Sequence, residues 1–384
     1  MQAFEIDIPQ SELDDLKRRL DQVRWSEDFE NADWRYGVNG RVLADFVDDW
    51  RTSFDWRAQE SAMNRFPHFR TEIEGVPIHF MHVRAEQPSA IPIILTHGWP
   101  WTFWDFRDVI GPLTAPSAHG AAGAPAFDVI VPSLPGFGFS SPLTRPGIGF
   151  VRTAELWHRL MTETLGYARY AAHGGDWGAM VTAVLGHRFA PRLYGIHESL
   201  PGFLGLDYAS LQASDYGPDE SGWFEHMKSM ERKTASHMAV HSLDPQTLAF
   251  ALNDSPVGLL AWILERRRAW SDCGGDVERC FSREDLLTTV SIYWFTQTIG
   301  TSLRFYWENA QHPWQPSHDR TPPVEAPAAF AVFPKDVLLV PYEVAVRHAN
   351  VQRWTVMSRG GHFAAAEQPE LLVEDLRAFF GSIA

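Results

Sequence analysis

The sequence predicts an α/β protein: a mostly parallel central sheet with helices on both faces, a helical cap insertion and an N-terminal lobe. Three observations carry this. From Ile91 onward, short apolar runs alternate with helical patterns, the order that builds parallel sheets. Between about Asp207 and His312 that rhythm stops, and aromatic-rich helical patterns replace it. The stretch Gly174-Gly175-Asp176-Trp177-Gly178 then joins an apolar run to a helical pattern through a tight turn.

The boundaries that follow are 1–85 for the lobe, 86–206 for the first part of the core, 207–312 for the cap and 313–384 for the second part of the core. In the lobe, Phe4, Ile6 and Ile8 alternate as in a short strand. Ser11 with Asp14 reads as a capping box, and Leu13, Leu16, Leu20 and Val23 fall on one helical face. Leu43, Phe46, Val47 and Trp50 mark a second helix. Between them lies a loop with Trp25, Phe29, Trp34 and Tyr36, read as a clamp on cap and core. Phe69 to Val83 alternates around Glu74-Gly75-Val76-Pro77 and predicts a β-hairpin.

In the core, Ile91 to Thr96 reads as a buried strand running into His97-Gly98-Trp99-Pro100. Phe127 to Val131 is a second strand, Tyr170 to Ala172 leads into the Gly174 turn, and Leu193 to Ile196 is a fourth. The cap segments are Ala261-Trp262-Ile263-Leu264, Tyr293-Trp294-Phe295 and Phe305-Tyr306-Trp307. The Pro-rich stretch from Pro313 to Pro327 returns the chain to the sheet. Val351 to Met357 is a late strand, followed by Arg359-Gly360-Gly361-His362-Phe363 and a helix through Leu371, Leu372, Leu376 and Phe379.

Composition excludes several functions. The net charge of −15 argues against nucleic acid and against anionic membrane surfaces. No run approaches a membrane span, and Phe4-Glu5-Ile6-Asp7 is no signal peptide, so a cytoplasmic location is expected. Cys273 and Cys280 lack the partners of a zinc site and read as free thiols, with a local disulfide left open. No metal or cofactor is expected, and a homodimer is left open. The 16 tryptophans allow an aromatic-lined pocket.

The Gly174–Gly178 turn has the form of a nucleophile elbow with aspartate where serine is usual. A carboxylate is already a nucleophile at neutral pH and can displace a leaving group from carbon to form an ester. The competing reading is a glycine-rich turn with a solvated Asp. The later order of Asp336 and then His362 on a Gly-Gly loop completes the sequence nucleophile, acid, base. Asp176 has no hydroxyl proton to lose, so His362 is expected to activate water against the ester, oriented by Asp336. The backbone N–H groups of Trp99 and Trp177 are the expected oxyanion donors.

With these motifs in hand, the chain resembles the microsomal-type epoxide hydrolases of the α/β-hydrolase superfamily, over nearly its whole length. The carrying residues are the N-terminal lobe, His97 to Pro100, Pro132 to Ser140, Gly174 to Gly178, Ala251-Leu252-Asn253-Asp254-Ser255-Pro256-Val257-Gly258 and Gly360-Gly361-His362-Phe363-Ala364-Ala365. The resemblance implies an α/β-hydrolase fold and conversion of an apolar epoxide and water to a vicinal diol through an aspartyl ester, without a cofactor and in a detoxifying role. It also implies two cap tyrosines that protonate the leaving oxygen. Tyr306 matches the second, and His237 occupies the position of the first, with His241 four residues on as the alternative. A His/Tyr pair is expected to add an acid-side pH dependence to ring opening. Trp101 stands where the family has a small residue and is expected to wall the substrate pocket beside Trp177.

Two other functions share these features. A haloalkane dehalogenase also uses an aspartate nucleophile, but commonly has Asn where Trp99 stands and needs no tyrosine donor. A non-catalytic receptor for an apolar ligand would not need the nucleophile, acid and base together.

Overall fold

The computed structural model describes residues 1–384. Nine strands form one sheet: β1 (Gln2–Phe4), β2 (His68–Ile73), β3 (Val76–Val83), β4 (Ile91–Thr96), β5 (Phe127–Pro132), β6 (Tyr170–Gly174), β7 (Leu193–Glu198), β8 (Val324–Val332) and β9 (Ala349–Val356). Their order across the sheet is β1-β2-β3-β5-β4-β6-β7-β8-β9. From β5 to β9 all neighbours are parallel, while β1 to β3 join antiparallel, with Val83 of β3 paired to Val129 of β5. The strands β4 and β6 are buried along their whole length, as their continuous apolar runs require.

The first 85 residues share the sheet and the core of the rest of the chain. Their hairpin β2–β3 extends the common sheet, and their helices pack on the cap. Arg19 Nη1 donates to the Asp254 carbonyl at 2.7 Å, and Trp50 Nε1 to Ser291 Oγ at 3.1 Å. Their buried residues belong to the same continuous core as those of the sheet and cap. β1 stops at Phe4 because the next backbone donors turn to side chains: Ile6 N–H to Asn64 Oδ1 at 2.9 Å and Ile8 N–H to Glu60 Oε2 at 2.8 Å. Ile6 and Ile8 are nonetheless buried.

The expected capping box does not form. The first helix, Gln10–Asp21, starts on Pro9, so Ser11 lies inside its first turn and Asp14 instead accepts from Gln10 Nε2 at 3.0 Å. Of the loop aromatics only Trp34 clamps anything, with the Arg268 guanidinium 4.3 Å over its ring. Trp25, Phe29 and Tyr36 are exposed.

The cap comprises helices Trp223–Leu243, Pro245–Asp254, Pro256–Trp270, Arg283–Thr296 and Ile299–Gln311. The Pro-rich return to the sheet contains the start of β8, a strand pairing with both β7 and β9. No single helix is long and apolar enough to cross a membrane. Cys273 and Cys280 are both free.

Candidate active site

β6 ends at Gly174 and the helix Trp177–Arg188 begins three residues later. Asp176 between them has φ 52° and ψ −127°, a conformation that a side-chain-bearing residue adopts only when its surroundings hold it there. The surroundings are unusually close. A Cβ on Gly178 would lie 2.0 Å from the Thr96 carbonyl oxygen, and one on Gly98 would lie 2.2 Å from Asp176 Cβ. Glycine at these two positions lets the elbow rest on the end of β4. Asp176 also stands at the N-terminus of the following helix, without a side-chain capping bond, where the helix dipole favours its negative charge.

The Asp176 carboxylate has two different oxygens. Oδ1 accepts the Trp99 N–H at 2.8 Å. Oδ2 lies 3.2 Å from His362 Nε2, within ion-pair reach but off the line of a hydrogen bond. On the other side of the ring, His362 Nδ1 is 2.7 Å from Asp336 Oδ1, which also accepts the Val337 N–H at 2.6 Å. Burial pushes the imidazole toward its neutral form, but Asp336 and Asp176 outweigh it and lift its pKa to about 10.

Facing this set is a cavity of about 520 Å³. Asp176, Trp177, His237, Trp270, Tyr306 and His362 line its reactive end. Met180, Leu200, Met227, Met238 and Leu338 supply a mostly apolar remainder. Tyr306 is buried between the rings of Trp177, at 4.8 Å, and Trp99, at 6.0 Å. Burial, reinforced by Asp176, raises its pKa well above the ordinary phenol value, so it keeps its proton.

His237 lies flat on Trp99, with centroids 5.5 Å apart and planes 11° apart, and edge-on to Tyr306. Its Nδ1 is buried without a partner. Burial, with His241, Arg266 and His362 adding to it, holds its pKa well below 6.5. The expected acid-side dependence near pH 6.5 is therefore corrected: this imidazole is neutral there. His241 does not line the cavity, and its Nε2 accepts the Trp262 indole N–H at 3.2 Å.

Trp101 is also corrected. It is buried but absent from the cavity lining. The chain after Pro100 turns inward, and the ring packs edge-on behind His362 at 5.7 Å and against Phe363 at 5.5 Å.

Two residues were missed by the sequence reading. Trp270 walls the cavity and stands edge-on to His362 at 5.4 Å. Arg267, fully buried on the same cap helix, donates to both oxygens of Asp105 at 2.7 and 3.0 Å and to the Pro100 carbonyl at 2.9 Å. The cap thereby fixes the turn that presents the Trp99 N–H. The run Arg266-Arg267-Arg268 at the end of an otherwise mostly apolar helix was the available signal, and the partner of Arg267 lies 162 residues away.

Fold and site together define an α/β-hydrolase with aspartate at the elbow. Residues 1–106 match the family model described as epoxide hydrolase N terminus, and residues 91–196 match the alpha/beta hydrolase fold. A putative epoxide hydrolase of Stigmatella aurantiaca is 41% identical over 98% of this chain and 84% of its own length. Epoxide hydrolase 1 of Sus scrofa is 35% identical over 99% and 88%. The solved Aspergillus niger epoxide hydrolase matches with TM-score 0.87 and 30% identity, covering 100% of this chain and 96% of that one. The juvenile hormone epoxide hydrolase of Bombyx mori matches with TM-score 0.90 and 27% identity, over 100% and 94%. The chain belongs to the epoxide hydrolase family, and it is an enzyme of that class.

Proposed function

We propose that the chain opens an apolar epoxide through Asp176 and releases a vicinal diol by hydrolysis of the resulting ester. Asp176 Oδ2, the oxygen outside the Trp99 contact, attacks an epoxide carbon. The ring C–O bond breaks, and Tyr306 with the neutral His237 donates hydrogen bonds to the leaving oxygen, Tyr306 passing its proton. In the second step His362 takes a proton from water, whose oxygen adds to Asp176 Cγ. The oxyanion on Oδ1 is held by the N–H groups of Trp99 and Trp177. Collapse expels the second hydroxyl of the diol, which takes the proton back from His362. The acid proton left on Asp176 is released to solvent while Tyr306 regains one from it, restoring the resting site.

The observation that carries this reading is the chain of contacts Asp336–His362–Asp176–Trp99 at 2.7, 3.2 and 2.8 Å, facing Tyr306 across an apolar cavity. His362 also suits a base needed only late. Ester formation removes the Asp176 charge, one of the two that raise its pKa, so the imidazole is freed to accept a proton after alkylation. The apolar lining suits an uncharged epoxide. The charge of −15 disfavours nucleic acid and anionic membranes as partners, and two free cysteines suit a reducing compartment such as the cytoplasm.

The test is intact mass of His362→Gln after mixing with an epoxide that the native enzyme turns over. The reading requires an adduct of protein plus epoxide that accumulates, and no adduct when Asp176→Ala is added to the same variant. Absence of an adduct in His362→Gln removes the assignment.

A further inference from the structure

The loop that carries His362 is held by groups from outside it. Gly360 N–H donates to Asp272 Oδ2 at 3.0 Å, and Gly361 N–H to Glu367 Oε2 at 3.0 Å. His362 N–H donates to the Trp270 carbonyl at 2.9 Å, and Phe363 N–H to Glu367 Oε1 at 2.9 Å. Four consecutive backbone donors are thus taken, alternately by the stretch 270–272 and by one carboxylate. Glu367 Oε2 also accepts the Asp272 N–H at 2.8 Å. A single half-buried carboxylate therefore receives three backbone N–H groups, two from the His362 loop and one from the segment that ends the cap helix Pro256–Trp270.

The two segments abut backbone to backbone: a Cβ on Gly361 would lie 2.7 Å from the Trp270 carbonyl oxygen. That cap segment also carries the Trp270 ring, which stands 5.4 Å from the ring of His362. None of these bonds reaches the elbow. Asp176 is set by β6, by Gly98 and Gly178 and by the Trp99 N–H, a separate group of contacts.

We propose that Glu367 is a positioning residue for His362, clamping the loop 360–363 to the end of the cap helix so that the imidazole meets water at the ester. It rests on the roles given above to Asp176 and His362. Its consequence is step-specific. Ester formation needs Asp176 and the oxygen donors, whereas ester hydrolysis needs His362 in register. Charge-assisted bonds from three N–H groups are lost or broken up by any neutral replacement. Glutamine keeps the size, but its NH2 must face at least one of the three N–H groups, a donor against a donor.

The experiment measures the two steps separately in Glu367→Gln and Glu367→Ala, by rapid mixing with epoxide and intact mass of the quenched protein. Expected are alkylation rates within about threefold of native and ester hydrolysis slowed about ten- to a hundredfold, the range for misplaced catalytic groups. Ester then accumulates at steady state, kcat falls and KM falls with it. Glu367→Gln is the isosteric variant on which the result stands if the Ala variant does not fold. A lowered Tm with the two rates unchanged, or with both slowed equally, overturns the positioning role. So does an adduct in His362→Gln with none in Glu367→Gln. An absence of adduct in His362→Gln as well overturns the roles of Asp176 and His362 on which the proposal rests.

Discussion

The Trp99 backbone N–H already holds Asp176 Oδ1 at 2.8 Å in the resting protein, so the two oxygens of this carboxylate are not equivalent. In the proposed mechanism one is fixed where negative charge is to develop, and the other is left for attack. Preorganisation of this kind avoids reorganisation at the moment of reaction.

The route through an Asp176 ester is readable by isotope. In a single turnover in oxygen-18 water, the diol should be unlabelled and the peptide bearing Asp176 should gain one heavy oxygen. Later turnovers should label the diol. Direct labelling of the diol in the first turnover would mean that water attacks the epoxide itself. Mass spectrometry of the diol and of the Asp176 peptide checks both.

His362 couples charge to stability. Its folded pKa of about 10 lies above the ordinary 6.5, so its ion pairs with Asp336 and Asp176 stabilise the fold fully below pH 6.5. That contribution is lost as pH rises from 6.5 through 10. The stability gap between the native protein and His362→Gln should therefore shrink over that window, by on the order of a few kcal/mol. Denaturant unfolding of both proteins at pH 6 and pH 10 measures it. A gap that stays constant or widens contradicts the ion pairing.

His237 stacks on Trp99 and faces Tyr306, with its pKa held down by burial first and by the neighbouring basic groups His241, Arg266 and His362 after it. His237→Phe should slow alkylation of Asp176 by roughly ten- to a hundredfold, and His237→Tyr should restore part of it. Between pH 5.5 and 8 the native alkylation rate should show no limb from this imidazole. Equal alkylation by native and His237→Phe would leave Tyr306 as the sole donor. Single-turnover rates across pH settle the matter.

Trp101 belongs to the packing behind the base. Trp101→Gly should cost about 3–5 kcal/mol of stability, as large buried aromatics do when truncated. It should not admit bulkier epoxides. A panel of epoxides of increasing size, read beside thermal unfolding, tests this. Broadened acceptance at unchanged Tm would put the ring back in the pocket wall.

What the sequence made legible was local. The elbow, the strands β4 to β7 and the His362 loop each carry their signal within a dozen residues: an apolar run, glycines where backbones meet, and a chemical group at the turn. What escaped was set by distant partners. β8 hid behind Pro323 and Pro327, which are only half-buried at its start, although Ala328 to Val332 are buried. Trp101 is bulky at a position expected to face substrate, and only the inward path of the chain after Pro100 decides that it faces the core. Glu367 is one acid among 48 acidic residues until the three N–H groups that converge on it are seen. Arg267 has the same difficulty, because nothing near it in the chain hints at Asp105.

The place of the N-terminal segment in the sheet bears on how the chain is made. Residues 1–85 leave the ribosome before residues 86–384, yet β3 has no sheet to join until β5 at Phe127–Pro132 is available. The first helix is tied to Asp254 and the second to Ser291, which are synthesised far later. At ordinary rates of translation that is a delay on the order of tens of seconds, during which Leu16, Leu43, Phe46 and Trp50 lack their apolar cover. The segment is thus exposed to proteases and chaperones earlier than the elements that cover it and is among the last to become native. Nascent chains halted near residue 200 should show it cut by protease while the finished protein resists.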